Sequence, residues 1–169
     1  TILENMEHRG ACGCDPDSGD GAGILIQIPH EFFKQEALKL NISLEKAGSY
    51  GVGMLFFPKK ATIKEECRRA IGKAADKLGL KILGYRKVPI NSGIIGEAAF
   101  SSEPDIEQVF IAKPASLHTP EDFERKLYVL KNYATTLVRE SVTGAENQFY
   151  VVSLSQNVIM YKGEFTSSQ

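Results

Sequence analysis

The stretch MEHRGACGCDPDSGDGAG, Met6 to Gly23, holds a histidine, an arginine, two of the three cysteines, three aspartates and five glycines. Its flanks limit what it can be. Upstream, Ile2, Leu3 and Met6 share one helical face, and Gly10 is placed to end that helix. Downstream, GILIQIP (Gly23–Pro29) is a short apolar run closed by proline, which reads as a buried strand. The stretch is therefore a helix-to-strand connection loaded with reactive side chains.

Each chemistry those side chains suggest can be tested against its spacing. Asp15, Asp17 and Asp20 imitate a calcium loop, but the twelfth position, which needs a bidentate glutamate, is Ile26. Cys12 and Cys14 form C-x-C beside His8, yet no second Cys/His pair follows to complete a tetrahedral zinc site. GDGAG (Gly19–Gly23) precedes a strand, whereas a phosphate-binding glycine loop follows a strand and opens a helix. A reactive thiol at Cys12 would follow a helix C-terminus, where the dipole opposes the thiolate. Thr1 lies on the helical pattern rather than at the start of a strand, which rules against an N-terminal threonine nucleophile. Composition and spacing alone leave the stretch as a tight connection shaped by glycine and aspartate.

Further along, HEFFKQEALKL places Phe32, Phe33, Leu38 and Leu40 on a short helix that Asn41 can end. GVGMLFFP (Gly51–Pro58) reads as a strand. Thr62 with Glu65 suggests a capping box ahead of an amphipathic helix through Ile63, Cys67, Ala70, Ala74 and Leu78. Strands are expected over Leu80–Pro89 and Ile106–Lys113, with a loop and one short helical turn between them. Thr119 and Pro120 open a helix carrying Phe123, Leu127, Leu130, Ala134 and Leu137. FYVVSLSQNVIMYKG (Phe149–Gly163) reads as a hairpin around Ser-Gln-Asn. A hairpin ending favours a mixed or antiparallel sheet over a doubly wound parallel one. Cys67 falls on its helix's apolar stripe as a buried small hydrophobe, and His30 and His118 show no evident partner.

The chain has 169 residues, 43% of them hydrophobic and 24% charged, with a net charge of −1. That length suits one domain. The charge balance argues against a nucleic-acid partner, and no apolar run is long enough to span a membrane. Three cysteines at no framework spacing favour a reducing, cytoplasmic setting.

NMEHRGACGCDPDSGDGAGILIQIPHEFF (Asn5–Phe33) closely resembles the early part of the glutaminase domain of the glutamate synthase family. That family carries HRG, a small-residue pair, [ST]-GDGAG and an apolar strand ending in proline, and each of these is here. GVGMLFFPK, IEQVFIAKP, FERKLYVLKN and FYVVSLSQNVIMYKG fit the same family. The resemblance implies an α+β N-terminal-nucleophile hydrolase (class II glutamine amidotransferase) fold: αββα layers with mainly antiparallel sheets, the chain 1–169 being a single partial domain, incomplete at both ends. It implies hydrolysis of L-glutamine to glutamate and ammonia by an N-terminal cysteine. The ammonia passes to a synthase domain that converts 2-oxoglutarate to glutamate. FMN and an iron–sulfur cluster are expected in the full enzyme and no cofactor or metal in this chain. The remaining synthase domains and an electron-donating subunit or ferredoxin are the implied partners.

The departures matter as much. The family's Cys-Gly start, its HSR[FY]ST carboxylate clamp and its HNGEIN oxyanion motif are not among these residues, and no Asn-Gly occurs. No catalytic residue is therefore expected in this chain, and the chain alone is expected to be inactive. Related amidotransferases have an arginine-glycine close to the nucleophile, which carries that place to Arg9 and Gly10. His8, Asp20, Gly21 and Gly23 shape the neighbouring loop. Two other readings are a non-catalytic module of the same fold and a different class II amidotransferase. The latter carry RGxDS or RGxES loops without GDGAG. Removal of neighbouring strands would expose sheet edges and invite self-association.

Overall fold

Tyr50–Phe57 (β2) is buried along almost its whole length, as only a strand covered on both faces can be. In this computed structural model, which describes residues 21–163 together with Asn5, β2 pairs antiparallel with Asp105–Ala112 (β4) on one side and Tyr150–Ser155 (β5) on the other. Lys81–Lys87 (β3) pairs antiparallel with β4, so the sheet order is β3-β4-β2-β5. Two helices complete the pattern: Ala61–Lys77, between β2 and β3, and Pro120–Ser141, between β4 and β5. This β-α-β-β-α-β run with two non-adjacent parallel strands is the split βαβ, or ferredoxin-like, arrangement.

The remaining elements are Ala22–Gln27 (β1), His30–Leu38 (α1), a 3₁₀ turn at Ser92–Ile94, Glu97–Ser102 and Val158–Gly163 (β6). In chain order the four α-helices are α1, α2 (Ala61–Lys77), α3 (Glu97–Ser102) and α4 (Pro120–Ser141). β1 and β6 form a separate two-stranded sheet. The chain divides into two compact units. One is Ile26–Val88 with Pro104–Ile159; the other is Thr1–Leu25, Pro89–Glu103 and Met160–Gln169.

In the larger unit the two faces of the sheet are filled differently. Leu55, Phe57, Val109 and Ile111 pack under α2 and α4. There α2 contributes small residues, Cys67, Ala70, Ala74 and Ala75, and α4 contributes Phe123, Leu127, Leu130 and Val138. Gly51 is what lets α4 come close: a Cβ there would lie 2.6 Å from Leu127 Cδ1. On the opposite face Phe33 of α1 meets Phe110 edge-on at 5.7 Å, and Tyr50 meets Phe110 at 6.3 Å. Arg86 locks α1 down, pairing with Glu36 at 2.7 Å and donating to Gln108 Oε1 at 3.0 Å. Its guanidinium lies over the Phe32 ring.

Helix ends obey local chemistry. α1 closes through Asn41 at φ 58, with Ile42 N–H donating to Ala37 O and Asn41 N–H to Leu38 O. α2 closes the same way through Gly79 at φ 64, with Leu80 N–H bonded to Ala75 O. Both are Schellman ends, which place a left-handed residue just beyond the last turn. Thr119 caps α4, its hydroxyl oxygen accepting from Asp122 N–H at 3.1 Å, with Pro120 behind it. Thr119→Ala is expected to cost about 1 kcal/mol and to lower the thermal midpoint by roughly 3 °C, measured by calorimetry.

Several expectations are corrected. Thr62 is not a cap: α2 already begins at Ala61 after an extended Lys60, so Thr62 lies inside the first turn and no side-chain cap forms. β1 is a strand but not a buried one, with Ile24 60% and Leu25 56% exposed. On α1 only Phe33 and Ala37 are buried, while Phe32, Leu38 and Leu40 face outward. The segment between β3 and β4 holds two short helical pieces rather than one. β5 and β6 are not a hairpin; they belong to different sheets. The turn between them is built by Ser155, whose hydroxyl oxygen accepts from the N–H groups of both Asn157 and Val158. The antiparallel α+β character stands. The helix ended by Gly10 lies outside the described residues.

Candidate functional site

His8, Arg9, Gly10, Asp20, Cys12 and Cys14 lie outside the described residues, so the described part of the expected site is Gly21 and Gly23, at the entry to β1. Gly21 has φ +92, which L side chains rarely adopt, and a Cβ there would come 3.2 Å from Gly163 O. A Cβ on Gly23 would come 3.4 Å from Tyr161 O. At the other end of β1, Ile28 N–H donates to Asn157 O at 2.9 Å. β1 thus runs against β6 in the opposite direction. Glycine is favoured at Gly21 because its φ is positive and the β6 backbone closes up on it there.

The remaining reactive side chains have ordinary structural roles. Cys67 is fully buried in the main core, and burial first, then the Glu66 charge, pushes its thiol up to about 11. Such a thiol stays protonated and inert at neutral pH. Native chain is therefore expected to leave Cys67 unmodified by a thiol reagent that labels it completely after denaturation; mass spectrometry reads the difference. His30 does have a partner, its Nδ1 lying 3.0 Å from Tyr50 Oη. Burial raises the Tyr50 hydroxyl to about 12. His118 is exposed.

The densest polar cluster joins α2 to the sheet. Glu107, 2% exposed, accepts from Arg68 Nη2 and Nε at 2.6 and 3.1 Å and from Lys64 at 3.3 Å. Lys64 also pairs with Asp105, and Lys87 approaches Asp105 at 3.7 Å. Burial raises the Asp105 carboxyl, but the Lys64 ammonium and then Lys87 outweigh it and hold the carboxyl below the usual range. A depressed folded-state value stabilises above the unfolded value, near 3.9, and that contribution is lost as pH falls below it. Asp105→Asn is accordingly expected to flatten the acid limb of the stability curve below about pH 4, measured by urea unfolding across pH. Sequence reading missed this cluster, although the alternation Glu107, Val109, Ile111 puts Glu107 on the core face.

A depression in the larger unit is lined by Arg139, Glu146, Asn147, Phe149 and Tyr150. Among the described residues no group of three or more His, Cys, Asp or Glu side chains could hold a metal ion. None of the described helices is long and apolar enough to cross a membrane.

Compared with known families, the sequence matches the family Glutamine amidotransferases class-II over residues 1–169. The chain belongs to the class-II glutamine amidotransferases. It is 42% identical over 169 residues to the Glutamate synthase (NADPH) large chain of Bacillus subtilis, covering 99% of this chain and 11% of that protein. The Glutamate synthase (NADH) of Schizosaccharomyces pombe is 38% identical, over 99% of this chain and 8% of its own length. Ferredoxin-dependent glutamate synthase 1 of Arabidopsis thaliana is 40% identical, over 96% and 10%. The amidotransferase chain thus spans about a tenth of the relatives it matches. Relatives named for three different electron donors match it almost equally, so this segment is common to all three kinds.

Proposed function

We propose that this chain is the supporting part of a glutaminase domain of the glutamate synthase type, which hydrolyses L-glutamine to glutamate and ammonia. The observation that carries the reading is the family match along the whole chain, HRG and GDGAG included. In this reading the nucleophile is an N-terminal cysteine supplied by sequence other than these residues. Arg9 stands beside it, its guanidinium favouring the thiolate. Gly10 permits close backbone approach, and His8, Asp20, Gly21 and Gly23 shape the adjoining loop. An oxyanion hole stabilises the tetrahedral intermediate as ammonia leaves. The ammonia then serves a synthase domain that aminates 2-oxoglutarate.

FMN and an iron–sulfur cluster belong to the remainder of such an enzyme. The partners in this reading are L-glutamine, the other synthase domains and an electron-donating subunit or ferredoxin. The odd cysteine count favours a reducing compartment such as the cytoplasm.

The test is to put this chain in place of the matching segment of the Bacillus subtilis large chain and measure glutamine hydrolysis. Arg9→Ala in that protein is expected to lower turnover by roughly tenfold or more, with Arg9→Lys recovering part of it. Unchanged turnover in Arg9→Ala would remove Arg9 from the site. For the chain alone, self-association through sheet edges is expected. A strictly monomeric, folded species in sedimentation velocity would contradict that part.

A further inference from the structure

Between the end of α4 at Ser141 and the start of β5 at Tyr150, residues 142–149 form a connection that is tied down along its length. Val142, Ala145 and Phe149 are buried. Ala145 N–H donates to Val142 O at 3.2 Å, and Phe149 N–H donates to Ala145 O at 2.9 Å. Gly144 takes φ +85, and its N–H donates to Glu146 Oε2 at 2.9 Å. A loop anchored in this way holds its exposed side chains on a rigid mount, which is where binding groups are commonly carried.

The connection borders a depression of about 460 Å³ lined by Arg139, Glu146, Asn147, Phe149 and Tyr150. That volume is in the range of a small-molecule site. Its polar groups are not spent on one another. Arg139, in the last turn of α4, has no ion pair or side-chain hydrogen bond among the described residues, and neither has the Asn147 amide. Glu146 commits one carboxylate oxygen to Gly144 and pairs with no cation among the described residues. A guanidinium and a carboxylate thus line one depression without closing on each other. Beside them Tyr150 is 45% exposed, its ring 6.4 Å from that of Phe56.

The two charges select the ligand. A plain anion at Arg139 would also face the Glu146 carboxylate, and a plain cation at Glu146 would also face the guanidinium. A group carrying both signs satisfies both, and the Tyr150 ring offers contact to an apolar body. We propose that this depression binds a free α-amino acid with an apolar side chain. Its carboxylate lies on Arg139 and Asn147, its ammonium on Glu146 and its side chain against Tyr150. The site uses none of the residues named above for glutamine hydrolysis.

The experiment titrates the full 169-residue chain with L-leucine and follows the backbone amide signals of Glu146, Asn147 and Tyr150 by NMR. Saturable shifts with a dissociation constant of roughly 1 mM are expected. Arg139→Ala is expected to weaken binding by roughly tenfold or more. Glu146→Gln keeps an acceptor for Gly144 N–H, so the loop stays closed, and it is expected to weaken binding by a similar factor. Both variants alter exposed side chains, and unmoved signals from β2 and β4 show that each is folded. Two half-ligands tested on the native chain need no variant: isovalerate lacks the ammonium and isoamylamine lacks the carboxylate. Each is expected to bind at least roughly tenfold more weakly than L-leucine. Absence of saturable shifts up to roughly 20 mM L-leucine overturns the proposal. So does either half-ligand binding as tightly as L-leucine, or an affinity left unchanged in either folded variant.

Discussion

Replacing Gly53 by valine is expected to lower the midpoint of thermal unfolding by roughly 10 °C. Gly53 sits in the middle of β2, opposite Val109 on one side and Leu154 on the other. A Cβ at this position would stand 2.7 Å from Val109 Cγ1 and 3.1 Å from Leu154 Cδ1. Both neighbours have leaned into the space that the missing side chain leaves. Val109 is 2% exposed and β-branched, so it has few rotamers to retreat into. Relief would have to come from strand movement beneath α2 and α4, in a core with no spare room. Overpacking of this kind costs about 3 kcal/mol when several carbons are added. Gly53→Ala is expected to cost about half as much. In a Val109→Ala background, most of that cost should vanish, because the blocking methyl is gone. An equal cost in both backgrounds would show that the clash is not the cause.

Glu107→Ala is expected to cost about 2–3 kcal/mol, measured by urea unfolding at neutral pH. The carboxylate is the shared acceptor for Arg68 and Lys64, and it lies on the core face of β4 beside Val109. Its removal leaves Lys64 with Asp105 and Arg68 with Glu65 alone, and their side chains are 19% and 29% exposed, so the remaining partners and water relieve part of the penalty. That exposure places the cost below the 3–5 kcal/mol of a fully buried broken pair. Arg68 also lies over the Tyr85 ring at 4.9 Å, which holds the guanidinium in place after the carboxylate is lost. Replacing both members by apolar residues, Glu107→Leu with Arg68→Met, is expected to restore much of the stability, since no buried charge then lacks a partner. If Glu107→Ala costs as much without Arg68 as with it, the pair carries none of the effect.

The helices were legible because their signals are local. Thr119 and Pro120 announce α4 by cap chemistry, and the spacing through Phe123, Leu127, Leu130 and Ala134 gives its buried face, which ends on Val138 rather than on the partly buried Leu137. Asn41 ends α1 because few other residues accept φ 58. What could not be read was which strands share a sheet. β5 and β6 are separated by a short turn that looks like a hairpin, yet Ser155 turns the chain out of one sheet and into another. Strand pairing between Tyr50 and Ala112, or Val52 and Ser155, depends on contacts far apart in the chain, which no local pattern encodes. Thr62 misled because a capping box is a pattern of side chains, while the helix start is set by where the backbone leaves β2. The candidate site rests on resemblance rather than on chemistry, and His8, Arg9, Gly10 and Asp20 lie outside the described residues. Its glycines explain themselves only when β6 is seen against β1, and Glu107 is found only when β4 is read with period two.

The proposed function requires this chain to be interchangeable with the segment of a glutamate synthase that supports the glutamine-hydrolysing site. The direct measurement is ammonia release from L-glutamine, by the chain alone and by the Bacillus subtilis large chain in which it replaces the matching tenth. No release is expected from the isolated chain, and in the hybrid a turnover within about tenfold of the unaltered enzyme, corresponding to about 1.4 kcal/mol in the barrier. A folded hybrid that binds its cofactors but releases no ammonia, or an isolated chain that hydrolyses glutamine, would contradict it.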